Sequence, residues 1–172
     1  VTALITSQFP WATFVYRADY ADKKLLGEIF TRYEVEAVFH CASSTIVSHS
    51  VDFPLAYYQN NVAKTITLLE TMVHYAVKRL VFSSSCAVYG APQQLPISEE
   101  HPRIPLSPYG TTKLMIEQIL ADCMRAHDLS FVSLRYFNVA GIQSDSHLSE
   151  SHTPETHVIP LLLRSAKSGA PF

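Results

Sequence analysis

The chain has 172 residues, enough for one globular domain with a core and too few for two full-sized ones. Hydrophobic residues make up 48% and charged residues 16%, against roughly 25% charged in an average soluble protein, so many elements are expected to be buried on both sides. A net charge of −2 gives no electrostatic basis for nucleic acid or an anionic membrane as partner, and no apolar run approaches the ~20 residues of a membrane span.

Cys41, Cys86 and Cys123 are odd in number, widely spaced and set in apolar surroundings, which speaks against a disulfide framework and for a reducing, cytoplasmic compartment. The chain begins at Val1 with neither an initiator Met nor a signal pattern, so its start reads as cut.

Short β-branched runs alternate with longer segments of helical period, the pattern of βαβ units. In chain order the predicted elements are a strand Thr13 to Tyr16, a helix Lys23 to Tyr33, a strand Ala37 to Cys41, a helix Leu55 to Tyr75 and a strand Arg79 to Ser84. A helix Pro108 to His127, a strand Phe131 to Tyr136 and a helix Ile159 to Ala166 complete the series. The sharpest boundary is at Ser107-Pro108, where a capping hydroxyl precedes a proline suited to the first helical position, and Leu114, Ile119, Leu120 and Cys123 supply an apolar stripe behind it. Pro92, Pro96, Pro102 and Pro105 make Gly90 to Pro105 a long loop, and long loops in compact domains are usually functional. The series predicts an α/β fold, a Rossmann-like doubly wound parallel sheet incomplete at the N-terminus. Ligands of such sheets bind beyond the carboxyl ends of the strands. Asp19-Tyr20, Cys41-Ala42-Ser43, Ser83-Ser84-Ser85 and Phe137-Asn138 stand at those ends.

The residues best suited to chemistry are Tyr109 and Lys113. Four apart on a helix, they share a face, and a cation near a phenol favours its anion, bringing a phenolate within reach of neutral pH. Tyr109 is therefore the expected general base, and the serine-rich end of the strand before it, at Ser85, can offer a hydroxyl to the same crevice.

Other residues carry blander readings. His147, His152 and His157 are spaced by five, which puts no pair on one helix face, so no metal is expected. Cys86 reads as a small packing residue, since no neighbour in sequence lowers its pKa. His40 reads as a hydrogen-bonded core histidine. Gly110, costly inside a helix, is read as allowing close approach of a cofactor in preference to a packing contact.

Taken together, Val81-Phe82-Ser83-Ser84-Ser85, Ala87-Val88-Tyr89-Gly90, Ser107-Pro108-Tyr109-Gly110, Lys113, Leu134-Arg135-Tyr136-Phe137-Asn138 and Pro154-Glu155-Thr156-His157 resemble the UDP-glucose 4-epimerases, above all the bacterial ones. These belong to the extended short-chain dehydrogenases/reductases. The resemblance runs from about Asp19 to Phe172, and it is specific as a combination. It implies a Ser-Tyr-Lys catalytic set and tightly bound NAD. By it Ser85 holds the sugar 4-hydroxyl, Tyr109 removes the proton, and Lys113 holds the nicotinamide ribose and lowers the phenol pKa. It also implies cofactor contacts at Asp19, Tyr20, Cys41, Ala42, Ser43, Asn60, Ser85, Tyr109, Lys113 and Phe137. Substrate contacts are implied at Ser85, Tyr109, Asn138, His157 and Val158. On this reading residues 1–141 are a partial NAD-binding domain and residues 142–172 begin the substrate-binding region. A homodimer through a four-helix bundle of Leu55 to Tyr75 and Pro108 to His127 is implied as well.

Two departures stand out. Thr45 occupies a position where some epimerases carry a cofactor-touching lysine, and the family's glycine-rich turn and following acidic residue lie before Val1. The turn presents N–H groups to a pyrophosphate, so these residues alone are expected to bind NAD weakly, to lack activity and to self-associate. The alternatives within the fold are 4,6-dehydratases, uronate epimerases and uronate decarboxylases. In the dehydratases and decarboxylases acids follow the catalytic hydroxyl, whereas this chain has Cys86 and Ala87. A non-catalytic truncated remnant is the alternative outside enzymes.

Overall fold

The computed structural model of the chain describes residues 14–141, 155 and 157–169. The chain forms two compact units, Arg17–Phe137 and a second made of Val1–Tyr16 with Asn138–Phe172.

In the first unit the β-branched runs become β1 (Ala37–His40), β2 (Arg79–Ser83) and β3 (Ser130–Leu134). They pair in parallel in the order β1-β2-β3, with Phe39 opposite Val81 and Val81 opposite Val132. Parallel neighbours cannot be joined by a tight turn, so helices bridge them. Before β1 lies α1 (Lys23–Arg32), started by Asp22, whose carboxylate accepts the Leu25 N–H at 3.0 Å. Between β1 and β2 run α2 (Val47–Asp52), α3 (Pro54–Tyr57), a π-helical turn (Tyr58–Ala63) and α4 (Lys64–His74). Between β2 and β3 come a 3₁₀ turn (Cys86–Val88) and α5 (Pro108–His127). This is a Rossmann-like parallel sheet.

The start of α5 follows the sequence signals. Ser107 Oγ accepts the Gly110 N–H at 3.1 Å, Pro108 has no N–H to satisfy, and the Tyr109 N–H finds Ser50 Oγ of α2 at 3.1 Å. Of the expected stripe, Leu120 is in the core and Ile119 and Cys123 pack against it, while Leu114 is half-buried and the buried face also carries Tyr109, Lys113, Ile116 and Glu117. Charged residues that find partners can be buried, and the sequence does not display those partners.

The stretch Leu55 to Tyr75 is helical as expected, unbroken from Pro54 to His74, with a π turn within it. Pro54 opens α3, and the π turn Tyr58–Ala63 leads straight into α4. Such turns gather at functional sites. The described part of the expected first strand, Phe14 to Tyr16, is irregular, because a strand exists only where a neighbour completes its ladder.

The core lies on one face of the sheet, where Leu80 and Phe82 meet Leu68, Leu69 and Met72 of α4 and Ile116 and Leu120 of α5. Strand side chains alternate between faces, so Phe39, Val81 and Val132 share the opposite one. There Phe39 is 61% and Val132 54% exposed, contrary to the expectation of burial on both sides. Both crossover helices pack on the Leu80 face, as sequential parallel strands with crossovers of one hand require.

Gly110 is held by packing. A Cβ there would lie 2.6 Å from the Ala87 carbonyl oxygen and 3.0 Å from Pro105 Cβ. Protein atoms therefore suffice to account for this glycine, which is the packing contact that the sequence reading ranked second.

In the second unit α6 (Val158–Ser168) ends at Gly169, whose φ of 70° lies in the left-handed region. The expectations at Thr13, His147, His152, Pro154 and Thr156 fall outside the described residues. Among those described, no helix is long and apolar enough to cross a membrane.

Candidate active site

The carboxyl ends of the three strands gather the polar residues read from sequence. β2 runs into Ser84 and Ser85, and Ser85 has extended backbone, φ −158° and ψ 149°, with its hydroxyl accepting the Ala87 N–H at 3.2 Å. The Cys86 N–H donates to the Tyr136 carbonyl beyond β3 at 2.8 Å, tying the two strand ends together. Cys86 itself is half-buried and its thiol is pushed up by burial, an environment that keeps it protonated.

Facing Ser85, α5 presents Tyr109 and, one turn on, Lys113. Both are buried, at 8% and 2% exposure. The Lys113 ammonium donates to Ser43 Oγ at 3.0 Å and to the Ser83 carbonyl at 2.8 Å. It also lies 5.7 Å from the centre of the Tyr109 ring and 4.9 Å from that of Phe82. Burial lowers its pKa to about 8. Burial also dominates at Tyr109 and raises the phenol above its ordinary value, with the Ser85 hydroxyl beside it working the other way. Burial, not the neighbouring cation, sets the direction of the shift at Tyr109 here. The ammonium is aimed at Ser43 and the Ser83 carbonyl, and desolvation outweighs whatever attraction remains.

The loop after β1 is held from below. Cys41 and Ala42 are exposed and Ser43 is half-buried. Asn61, fully buried in the π turn, accepts the Ser44 N–H at 2.8 Å and donates to the Ser44 carbonyl at 3.0 Å and to Thr112 Oγ1 at 3.2 Å. Asn60, the residue expected to face this loop, reaches only Ser44 Oγ at 3.2 Å and its own neighbour Asn61. Sequence reasoning missed Asn61, although two adjacent asparagines inside an apolar helical stretch are the kind of residues that must find partners when buried. Thr45 is exposed.

Asp19 and Tyr20 stand before α1. The Asp19 carboxylate accepts the Ala21 N–H at 2.9 Å and pairs with Lys64 at 2.5 Å, and the hydrogen bond from Lys64 holds its pKa down. The Tyr20 hydroxyl donates to the Asn60 carbonyl. His40, at the end of β1, is buried and bonded to Thr65 Oγ1 at 2.9 Å. Burial, aided by the charge on Lys113, lowers its pKa to about 4, so it is a neutral core histidine at neutral pH.

Beneath this gathering lies a charged cluster that the sequence did not announce. Glu117, one turn beyond Lys113, accepts from Ser84 Oγ at 2.6 Å and from Arg135 Nε at 3.0 Å and Nη2 at 2.8 Å, with Arg103 at 3.5 Å. Burial opposes its charge, but the hydrogen bonds from Arg135 and Ser84 prevail and hold its pKa below the ordinary value. Arg135 also donates to the Tyr89 hydroxyl at 2.8 Å. A cleft of about 540 Å³ opens here, and Tyr89, Arg103, Arg135 and Phe137 are among its lining residues, whereas Ser85, Tyr109 and Lys113 are not.

Asn138, His157 and Val158 belong to the second unit. Asn138 is exposed, the His157 backbone N–H donates to Glu155 Oε1 at 2.9 Å with the ring Nδ1 3.0 Å from the same oxygen, and Val158 opens α6.

A parallel α/β sheet with a serine at one strand end, and a tyrosine and lysine one turn apart on the facing helix, is an arrangement of the Rossmann type. The chain belongs to the NAD dependent epimerase/dehydratase family, whose model matches residues 2–172. It is 48% identical over 160 residues to a UDP-glucose 4-epimerase of Lactobacillus helveticus, covering 93% of this chain and 48% of that protein. A UDP-glucose 4-epimerase of Halalkalibacterium halodurans is 46% identical, with 88% and 45% covered. The crystal structure of the Brucella ovis UDP-glucose 4-epimerase in complex with NAD superposes with a TM-score of 0.84 at 43% identity, covering 89% of this chain and 47% of that one. The chain thus spans about half the length of the curated relatives it matches.

Proposed function

We propose that this chain carries the catalytic half of an NAD-dependent UDP-glucose 4-epimerase. The observation that carries the reading is the meeting of Ser85, Tyr109 and Lys113, with Tyr109 and Lys113 buried on one face of α5. Residues 1–141 are assigned to cofactor binding and residues 142–172 to the start of the substrate region, with Asn138, His157 and Val158 on the UDP-sugar. Ser85 Oγ holds the sugar 4-hydroxyl, and Tyr109 Oη receives its proton and later returns it.

The donors at the strand ends fit the cofactor. Lys113 uses two of its three N–H donors on Ser43 and the Ser83 carbonyl, leaving one for a ribose hydroxyl, and the exposed Cys41-Ala42 stretch offers backbone beside it. Asp19, Tyr20, Asn60 and Phe137 complete the proposed contacts. Bound NAD supplies the acceptor for the hydride from sugar C4 and gives the same hydride back to the opposite face. No carboxyl follows Ser85 to drive elimination, which favours this reading over a dehydratase.

The test is a thermal-shift titration of the complete native protein with NAD and then UDP, followed by incubation with UDP-galactose. A ligand that binds only the native state must raise the melting temperature, and UDP-glucose should form without net reduction of NAD. No shift with either ligand, or accumulation of NADH in step with product, would count against an epimerase.

The apolar residues left exposed on the two bundle helices support a two-fold dimer in the cytoplasm. On α3 and α4 these are Leu55, at 81%, with Ile66 and Val73, and on α5 Met124, at 48%. Sedimentation of the complete protein at micromolar concentration should give the mass of two chains, and a monomer there refutes the assembly.

A further inference from the structure

Ser85 is held from both sides by groups that converge on one carboxylate. Tyr109, Lys113 and Glu117 recur every four residues on the inward face of α5. Glu117 accepts the hydroxyl of Ser84 at 2.6 Å, and Ser84 directly precedes Ser85. It also takes two hydrogen bonds from Arg135, at 3.0 and 2.8 Å. Arg135 directly precedes Tyr136, whose carbonyl accepts the N–H of Cys86, the residue after Ser85, at 2.8 Å. The helix that carries Tyr109 is therefore fastened to the residues on either side of Ser85, and Ser84 and Glu117 are both buried, at 4% and 5% exposure. A fully engaged, desolvated carboxylate of this kind is geometrically stiff.

We propose that Glu117 is a positioning residue: through Ser84 and Arg135 it sets the separation between the Ser85 hydroxyl and the Tyr109 phenol. The proposal rests on the reading of Ser85 and Tyr109 given above. Small errors in such a separation act on the chemical step, because the remote part of the substrate still binds. Loss of the link therefore lowers kcat and leaves KM and NAD content nearly unchanged.

Glu117→Ala would leave Arg135 without its partner and put the fold at risk, so the decisive variant is Ser84→Ala, which cuts one link and spares the ion pair. In the complete NAD-loaded protein Ser84→Ala is expected to lower kcat ~10-fold, with KM within about twofold, and Ser84→Thr, which keeps the hydroxyl, is expected to restore it. In a Ser85→Ala background the same Ser84→Ala change is expected to cost little, since residues that act as a unit are not additive. Should Ser84→Ala fail to fold, Glu117→Gln serves in the same cycle. Wild-type kcat in Ser84→Ala, or an equal loss with and without the Ser85 hydroxyl, overturns the proposal. Wild-type turnover in Ser85→Ala alone strikes the underlying reading instead and removes the proposal with it.

Discussion

Tyr109→Phe in the complete protein should keep its NAD and its melting temperature and lose turnover by ~10² to 10⁴, the usual range for removal of general acid–base help. The ring stays, so the buried packing stays, and only the hydroxyl beside Ser85 is lost. Burial raises the phenol above its ordinary value, so proton loss from Tyr109 is favoured by higher pH. The wild-type rate should accordingly rise with pH from the acid side, and the variant's residual rate should lack that limb. A variant that turns over normally, or one that keeps the wild-type pH profile, removes Tyr109 from the reaction.

Lys113→Met should be more damaging to turnover, since it removes the proposed ribose contact and the cation together, yet its effect on stability carries a distinct sign. The folded-state pKa of Lys113 is about 8 and its ordinary value 10.5. Below about pH 8 both folded and unfolded chains hold the proton, and the fold bears the full cost of the buried charge. Between about pH 8 and 10.5 the unfolded chain holds more protons than the folded one, so stability contributed by this group rises with pH. At ~1.4 kcal/mol per pH unit the gap between the two values amounts to about 3 kcal/mol. Denaturant unfolding at pH 7 and pH 10 should therefore show wild type gaining on Lys113→Met at the higher pH. The His40 ring, whose pKa of about 4 owes part of its depression to the Lys113 charge, should titrate higher in the variant when followed by NMR. A difference in stability between the two proteins that stays flat across this range would show that Lys113 is not electrostatically penalised.

Much of this was readable before any coordinates. Ser107-Pro108 marked the start of α5 because capping is local chemistry, and the observed helix, Pro108–His127, has the predicted bounds. The strands were visible as β-branched runs, although each ends one or two residues from its expected limit. What depended on distant residues was hidden. The inward face of α5 was read from its aliphatic residues, but Glu117 is buried because Arg135 and Ser84 reach it across sequence separations of 18 and 33 residues. The π turn exists where Asn61 meets Ser44, 17 residues away. The direction of the Tyr109 shift is set by its burial, which spacing along a helix does not specify.

The four-residue recurrence of Tyr109, Lys113 and Glu117 also governs which changes in chain length the protein can absorb. A single residue inserted between them would rotate everything beyond it by about 100° around the helix axis, turning Glu117 away from the strand ends while Tyr109 stayed in place. The loop from Gly90 to Pro105 carries no such phase before Ser98, although beyond it the Glu99 carbonyl, the His101 ring and Arg103 are tied to Arg135, Tyr89 and Glu117. Length variants of this protein should therefore cluster in that loop, and α5 should admit substitutions on its outer face but neither insertions nor deletions between Tyr109 and Glu117.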